Sequence, residues 1–262
     1  MVENKTPEHL VIEQFGAVRR ITITNPRKKN AINLQAYRDL ANQISAADQD
    51  DSVTVLVLTG AGDFYSSGND ISALLTSERS VEERLESSHA SLARMVKAFY
   101  SFSKMLIGVI NGPAIGIAAT TAILCDVLYM EENAYFYTPF TALGLCAEGC
   151  SSYTFPKLMG TSKASEMLLL NHRMSAQEAL QFNVVADLFK RKDYERKIWP
   201  RIQQYGLLPV GSIKATKQLM KKFDLDKLEQ ASKAELEALA KRWQTEEAMQ
   251  AVMNFMTRKS KI

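Results

Sequence analysis

Two apolar runs, residues 53–58 and 105–110, each end in a glycine-bearing turn. Both runs read as buried β-strands. The first leads into Asp63-Phe64-Tyr65-Ser66-Ser67-Gly68-Asn69-Asp70. The second leads into Asn111-Gly112-Pro113-Ala114-Ile115-Gly116-Ile117, which opens an apolar helix. Glycine lets the chain turn sharply off a strand and leaves backbone N–H groups directed into a cleft instead of a ladder. A helix N-terminus adds unpaired donors and a partial positive charge. Two such turns after two parallel strands can aim one N–H each at a single carbonyl oxygen, which is an oxyanion hole.

A third segment supplies a titratable group. Glu148 stands in Leu145-Cys146-Ala147-Glu148-Gly149-Cys150-Ser151-Ser152, after a strand-like run at 135–139 and a turn at Gly144. A helix-like run at 153–159 follows it. A lone carboxylate among small and apolar neighbours is costly to bury charged, so its pKa is expected to rise. A raised carboxylate pKa suits a base that takes a proton and gives it back. On this segment alone, a solvated turn glutamate or a helix N-terminal charge explains Glu148 equally well. The two glycine turns upstream favour the base.

Around these segments the strand-then-helix pattern repeats. Residues 11–15 and 18–23 flank Gly16 as a hairpin. A helix follows with Asn33 as N-cap and Tyr37, Leu40, Ala41 and Ile44 on one face. A helix-prone stretch runs over 77–103, with Glu82-Glu83-Arg84 as a solvated, mobile portion. Strands are expected at 127–130 and 134–138, a capping box at Ser175-Ala176-Gln177-Glu178, and a last strand at 184–189. From Asp193 onward the pattern is helical only, with Leu225, Leu228, Leu236 and Leu239 as contact residues. Such ββα repetition makes the chain α/β and builds a spiral of sheet turns with helices outside.

The 262 residues are 46% hydrophobic and 23% charged, with a formal net charge of +3. These values suit a globular chain with a sizeable core and mildly favour anionic ligands. No basic cluster with interleaved aromatics argues for nucleic acid. The longest apolar stretch, 114–124, is interrupted by Thr120 and Thr121 and stops at Asp126, too short for a membrane span. Met1-Val2-Glu3-Asn4-Lys5 has no apolar core, so a secretory signal is not expected. Cys125, Cys146 and Cys150 lack histidines at metal-binding spacing and read as structural thiols of a reducing compartment, so no metal is expected. His9, His89 and His172 sit apart, and none is assigned to catalysis.

These residues carry a family resemblance over nearly the whole chain. Asn25-Pro26-Arg27-Lys28-Lys29-Asn30-Ala31-Ile32, the two glycine turns and Cys125-Asp126 resemble the crotonase (enoyl-CoA hydratase/isomerase) superfamily. Ala147-Glu148-Gly149-Cys150-Ser151-Ser152-Tyr153-Thr154-Phe155-Pro156 is similar to the signature of its peroxisomal Δ3,Δ2-enoyl-CoA isomerases. The resemblance implies a crotonase-like spiral core over 8–205, a C-terminal helical region over 206–257 that supports homotrimers or dimers of trimers, and a tail over 258–262. It implies an acyl-CoA thioester as substrate, with CoA part of that substrate and no separate cofactor.

The resemblance also assigns roles. The backbone N–H groups of Asn69 and Ile117 would hold the thioester enolate, and Glu148 would move a proton from C2 to C4 of a 3-enoyl-CoA. The two glutamates of the family's hydratases correspond to Thr120 and Phe140, neither of which can act as a carboxylate base, so isomerisation is favoured over hydration. CoA would lie against Tyr65, Ser66, Ser67, Gly68, Asn69, Asp70, Gly116 and the Lys28-Lys29-Asn30-Ala31 segment. Lys28 and Lys29 either meet phosphates or are simply solvated. Phe255 either covers the acyl tail or is a core contact, and Asp126 fixes a turn. Ser260-Lys261-Ile262 resembles a peroxisomal import address read by a receptor, or is a frayed terminus. Without that address the cytoplasm or mitochondrion would be expected. The same motifs resemble the catalytically silent CoA-binding module of chromodomain Y-like corepressors, from which the retained Glu148 separates this chain.

Overall fold

A computed structural model describes residues 7–71 and 81–259. In chain order the elements are β1 (Leu10–Phe15), β2 (Val18–Ile23), α1 (Leu34–Gln49), β3 (Val55–Gly60), α2 (Val81–Ser101), β4 (Met105–Ile110), β5 (Ala114–Ile115), α3 (Ile117–Ala122), β6 (Val127–Glu131), β7 (Tyr135–Tyr137), α4 (Ser151–Leu168), β8 (Arg173–Ser175), α5 (Ala176–Gln181), β9 (Asp187–Phe189), α6 (Trp199–Tyr205), α7 (Val210–Lys221), α8 (Leu225–Trp243) and α9 (Glu246–Lys259). Glu82-Glu83-Arg84 fall in α2, their expected solvation lying outside what is described of their side chains, and Ser260-Lys261-Ile262 lie outside the described residues.

Six strands form one sheet in the order β1-β2-β3-β4-β6-β9. Only β1 runs antiparallel, paired to β2 by the hairpin at Gly16; the remaining neighbours are parallel. A smaller three-stranded sheet has the order β5-β7-β8. The large sheet is apolar on both faces. Leu56, Leu58, Leu106 and Ile110 pack in the core with α1 and α2, while Val55, Val57, Ile107 and Val109 meet Ile198, Trp199 and Ile202 on the other side. That is why these strands read as continuous apolar runs rather than alternating ones.

Local signals translated directly. The Asn33 side chain accepts from the Ala36 N–H at 2.8 Å and starts α1, and Tyr37, Leu40, Ala41 and Ile44 are buried on it. Ser175 and Glu178 form the reciprocal capping box of α5. Some expectations shift. The third strand begins at Val55 because the Val53 N–H turns back to Asp50 O and the Thr54 N–H reaches Ala17 O. The last strand is only Asp187–Phe189, since the N–H groups of Val184 and Val185 bond to Ala179 O at the end of α5. Leu225 opens α8 and is exposed, whereas Leu228 and Leu239 are buried and Leu236 half-buried.

Asp126 does more than fix a turn. Its Oδ2 accepts from the Leu106 N–H at 2.8 Å and from Lys217 Nζ on α7 at 2.5 Å. Lys217 also donates to Lys104 O at 2.7 Å, and the fully buried Lys104 donates to Ala47 O and Asp50 O. Burial pushes the Lys217 ammonium down to about 8. These groups fasten α7 to the edge where β4 and β6 begin, the end of the sheet opposite the glycine turns.

Candidate active site

β3 and β4 pair in parallel from Val55 with Met105 to Thr59 with Val109, so they finish side by side and both turns leave the same edge of the sheet. Ligand clefts of α/β sheets lie outside these carboxyl ends. The Ile115 N–H donates to Ser66 O at 3.0 Å and the Ser66 N–H to Pro113 O at 3.3 Å, which lashes one turn to the other. Asn111 braces the base of the first turn: Oδ1 accepts from the Gly60 N–H at 3.0 Å and Thr59 Oγ1 at 3.2 Å, and Nδ2 donates to Gly62 O at 2.8 Å. Asn111→Ala leaves these groups unpaired and is expected to lower the unfolding free energy by about 2 kcal/mol, read by urea denaturation.

Gly68 has φ +84°, and a Cβ there would lie 2.5 Å from Ile115 O and 3.8 Å from the Gly116 Cα. Only a residue without a side chain lets the turns approach this closely. Around this point the backbone donors are engaged in turn. The Gly68 N–H donates to Ser66 Oγ, the Asp70 N–H to Ile32 O and the Gly116 N–H to Tyr137 O. The N–H groups of Asn69 and Ile117 have no acceptor among the described residues. Two open donors, one per turn, flank the contact between Gly68 and Gly116.

The loop carrying Glu148 lies against α3. A Cβ on Gly149 (φ +68°) would come within 2.3 Å of Thr120 Oγ1 and 3.1 Å of Ile117 Cδ1, so the residue after Glu148 packs directly on α3. Glu148 is partly exposed and its carboxylate takes no hydrogen bond among the described residues. Surrounding protein, then the negative charge of Glu235, push it up to about 8. Tyr37, buried on α1, faces the same charge, and its phenol is raised well above the usual value by burial and then by Glu148. Thr120 and Phe140 are both buried and carry no ionisable group.

The segment expected to receive CoA is tightly knitted. Ser66 Oγ donates to Asn30 O at 2.7 Å, the Ser67 N–H to Lys29 O at 2.9 Å, Ser67 Oγ to Lys28 O at 3.0 Å and the Ile32 N–H to Gly68 O at 2.8 Å. Tyr65, Ser66 and Ala31 are buried. Lys28 pairs with Asp70 at 2.8 Å, and Lys29 lies over the Phe64 ring at 5.1 Å; both lysines are exposed. Asn30 organises the segment: Nδ2 donates to Ala61 O and Phe64 O, both at 2.8 Å, and Oδ1 accepts from the Asn25 N–H. Phe255 is half-buried on α9.

Two residues of α8 went unassigned from the sequence. Arg242 Nε donates to Gly144 O at 2.7 Å, at the start of the Glu148 loop. Glu235 accepts from the Cys150 N–H at 2.7 Å and the Ser152 N–H at 2.8 Å, at the end of that loop. A signal for Glu235 existed: it falls on the helical stripe that buries Leu228 and Leu239. Among the described residues no cluster of histidine, cysteine and acidic side chains could hold a metal, and no helix is long and apolar enough to cross a membrane.

A two-sheet α/β spiral, with two glycine turns meeting at the end of parallel strands and the glutamate loop packed on the helix after the second, defines a crotonase-type chain. Residues 13–261 match the family model described as enoyl-CoA hydratase/isomerase, and the chain belongs to that family. It is 40% identical to enoyl-CoA delta isomerase 2 of Rattus norvegicus, over 97% of this chain and 64% of that protein. It is 36% identical to the peroxisomal enoyl-CoA delta isomerase 3 of Mus musculus, over 96% of this chain and 79% of that protein. Chromodomain Y-like protein of Homo sapiens is 32% identical over 95% of this chain and 42% of its own length. A crystal structure of enoyl-CoA hydratase/isomerase from Pseudoalteromonas atlantica superimposes with a TM-score of 0.87 at 27% identity, covering 96% of this chain and 98% of that one. This chain spans just under two-thirds of the rat protein's length.

Proposed function

We propose that this chain is a Δ3,Δ2-enoyl-CoA isomerase that moves the double bond of 3-cis- or 3-trans-enoyl-CoA to the 2-trans position in the β-oxidation of unsaturated fatty acids. The observation that carries this reading is a single carboxylate, Glu148, without a hydrogen-bond partner among the described residues, on a loop packed against the helix that carries one of the two open backbone donors. The thioester oxygen lies between the N–H groups of Asn69 and Ile117. Glu148 takes the C2 proton, the electron pair enters the dienolate, and the charge settles on the oxygen held by the two donors. The same carboxyl then returns its proton to C4, which leaves the double bond between C2 and C3. One carboxylate suffices because the proton moves between two carbons. Hydration needs a second acid/base group, and Thr120 and Phe140 supply none.

Mixing the protein with 3-hexenoyl-CoA is expected to raise the ultraviolet absorbance of the conjugated product, with crotonyl-CoA hydrated far more slowly. The base must be ionised in the free enzyme, so kcat/KM is expected to fall on the acid side with a midpoint near 8. A flat trace with measurable CoA binding would favour the silent module of the chromodomain Y-like type, and comparable hydration of crotonyl-CoA would favour hydratase chemistry. The same reading extends to a homotrimer or dimer of trimers, supported by exposed Leu219, Met220 and Phe223 on and after α7. It extends to the peroxisomal matrix, reached through Ser260, Lys261 and Ile262 and an import receptor.

A further inference from the structure

We propose that Glu235 is a positioning residue for Glu148: its carboxylate, sent from α8, caps the first turn of α4 and sets both the place and the charge environment of the loop's carboxylate. This rests on the isomerase reading above, in which Glu148 is the base. Cys150 is the N-cap of α4 and has a left-handed backbone, φ +64°, and its own side chain does not cap the helix. The first N–H groups of a helix have no partner within it, and their aligned dipoles favour a negative charge. Glu235 meets that need from 85 residues away, with Oε2 on the Cys150 N–H and Oε1 on the Ser152 N–H. The two N–H groups engage both oxygens, which a glutamine cannot reproduce, since its amide nitrogen would face one donor with another. Arg242, also on α8, holds the other end of the loop at Gly144 O. The base therefore stands on a strap whose two ends are fixed by one helix.

The charged and titratable groups around this strap are few. Tyr37 faces Glu148 from α1; Cys146 and Cys150 belong to the loop; Arg242 faces Cys146 from α8; Glu247 of α9 pairs with Arg242 at 2.7 Å; and Tyr100 of α2 faces Cys150. From α3 the loop meets Ile117 and Thr120, which carry no charge. Burial opposes the ionised form of Glu235 and its hydrogen bonds from Ser152 and Cys150 favour it. Its charge is one of the two causes that raise Glu148. A like charge held nearby makes Glu148 a stronger base that needs a higher pH to ionise.

The test is the pH profile of Glu235→Gln. The acid limb of kcat/KM is expected to move down by about one pH unit, with a lower plateau from the loosened loop. Glu235→Asp keeps the charge on a shorter stem, so its limb should stay near wild type while turnover falls. A purely structural role would lower the plateau and leave the limb of Glu235→Gln unmoved; that result overturns the proposal. Should Glu235→Gln not fold, the coupling can be read without it, because the interaction between two sites is reciprocal. In protein with ¹³C-labelled glutamate carboxyls, neutralising the base by Glu148→Gln must lower the Glu235 midpoint, and an unchanged midpoint overturns the proposal. If wild-type protein never isomerises 3-hexenoyl-CoA, the function fails, yet the carboxyl titrations still decide whether the two glutamates are coupled.

Discussion

Glu148→Gln is expected to abolish isomerisation, with kcat falling 10²–10⁴-fold or more while acyl-CoA affinity stays near wild type. The amide keeps the shape of the side chain and cannot accept the C2 proton, and Thr120 and Phe140 carry no carboxylate to substitute. Titration calorimetry with an acyl-CoA and the 3-hexenoyl-CoA assay give the two readings. Near-normal turnover would reduce Glu148 to a turn residue. The same variant carries a stability signature. The folded pKa of Glu148, about 8, lies above its unfolded value, so the native state holds the proton more tightly than the unfolded chain does. Ionising it therefore costs stability progressively from about pH 4 to about pH 8 and no further above that range. Glu148→Gln should show a Tm advantage over wild type that opens across that window and then stays constant.

Gly68→Ala is expected to lower kcat by roughly 10²–10³-fold, the loss typical of a misplaced oxyanion donor. The added methyl would sit 2.5 Å from Ile115 O in a backbone with φ +84°, so one of the two turns must yield. Ile115 O belongs to the residue just before Gly116, and any retreat widens the gap between the Asn69 and Ile117 donors. The left-handed backbone adds roughly 1–2 kcal/mol of strain for alanine, visible as a lower Tm. A folded variant with wild-type kcat would show that the spacing of the two turns does not govern the rate.

What could be read from the sequence follows from how far each interaction reaches. Asn33, Ser175 and Glu178 act within a few residues, and their caps were legible as short motifs. The glycine turns were legible because φ above zero and close approach demand glycine at Gly68 whatever surrounds it. The start of β3 was not, because Thr54 gives its N–H to Ala17, a partner 37 residues earlier. Glu235 was hidden for a related reason. A glutamate in a helix reads as solvated, and only the arrival of α4's first turn beside α8 gives its two oxygens their partners. The C-terminal helices were read as assembly elements, whereas α8 also holds the loop on which Glu148 stands.

The two buried lysines give the chain an internal chemical record. An amine is acylated by a thioester or an anhydride only when it is neutral and reachable. Lys29 is exposed and open to such reagents throughout the life of the protein. Lys104 and Lys217 hold their ammonium groups on backbone carbonyls and Asp126 beneath the sheet. Burial is what pushes the Lys217 ammonium down to about 8, so opening of the sheet restores an ordinary lysine and what it adds is access. Acyl marks on Lys104 and Lys217 would therefore come from molecules whose sheet has opened, whereas marks on Lys29 carry only the history of exposure to reagent.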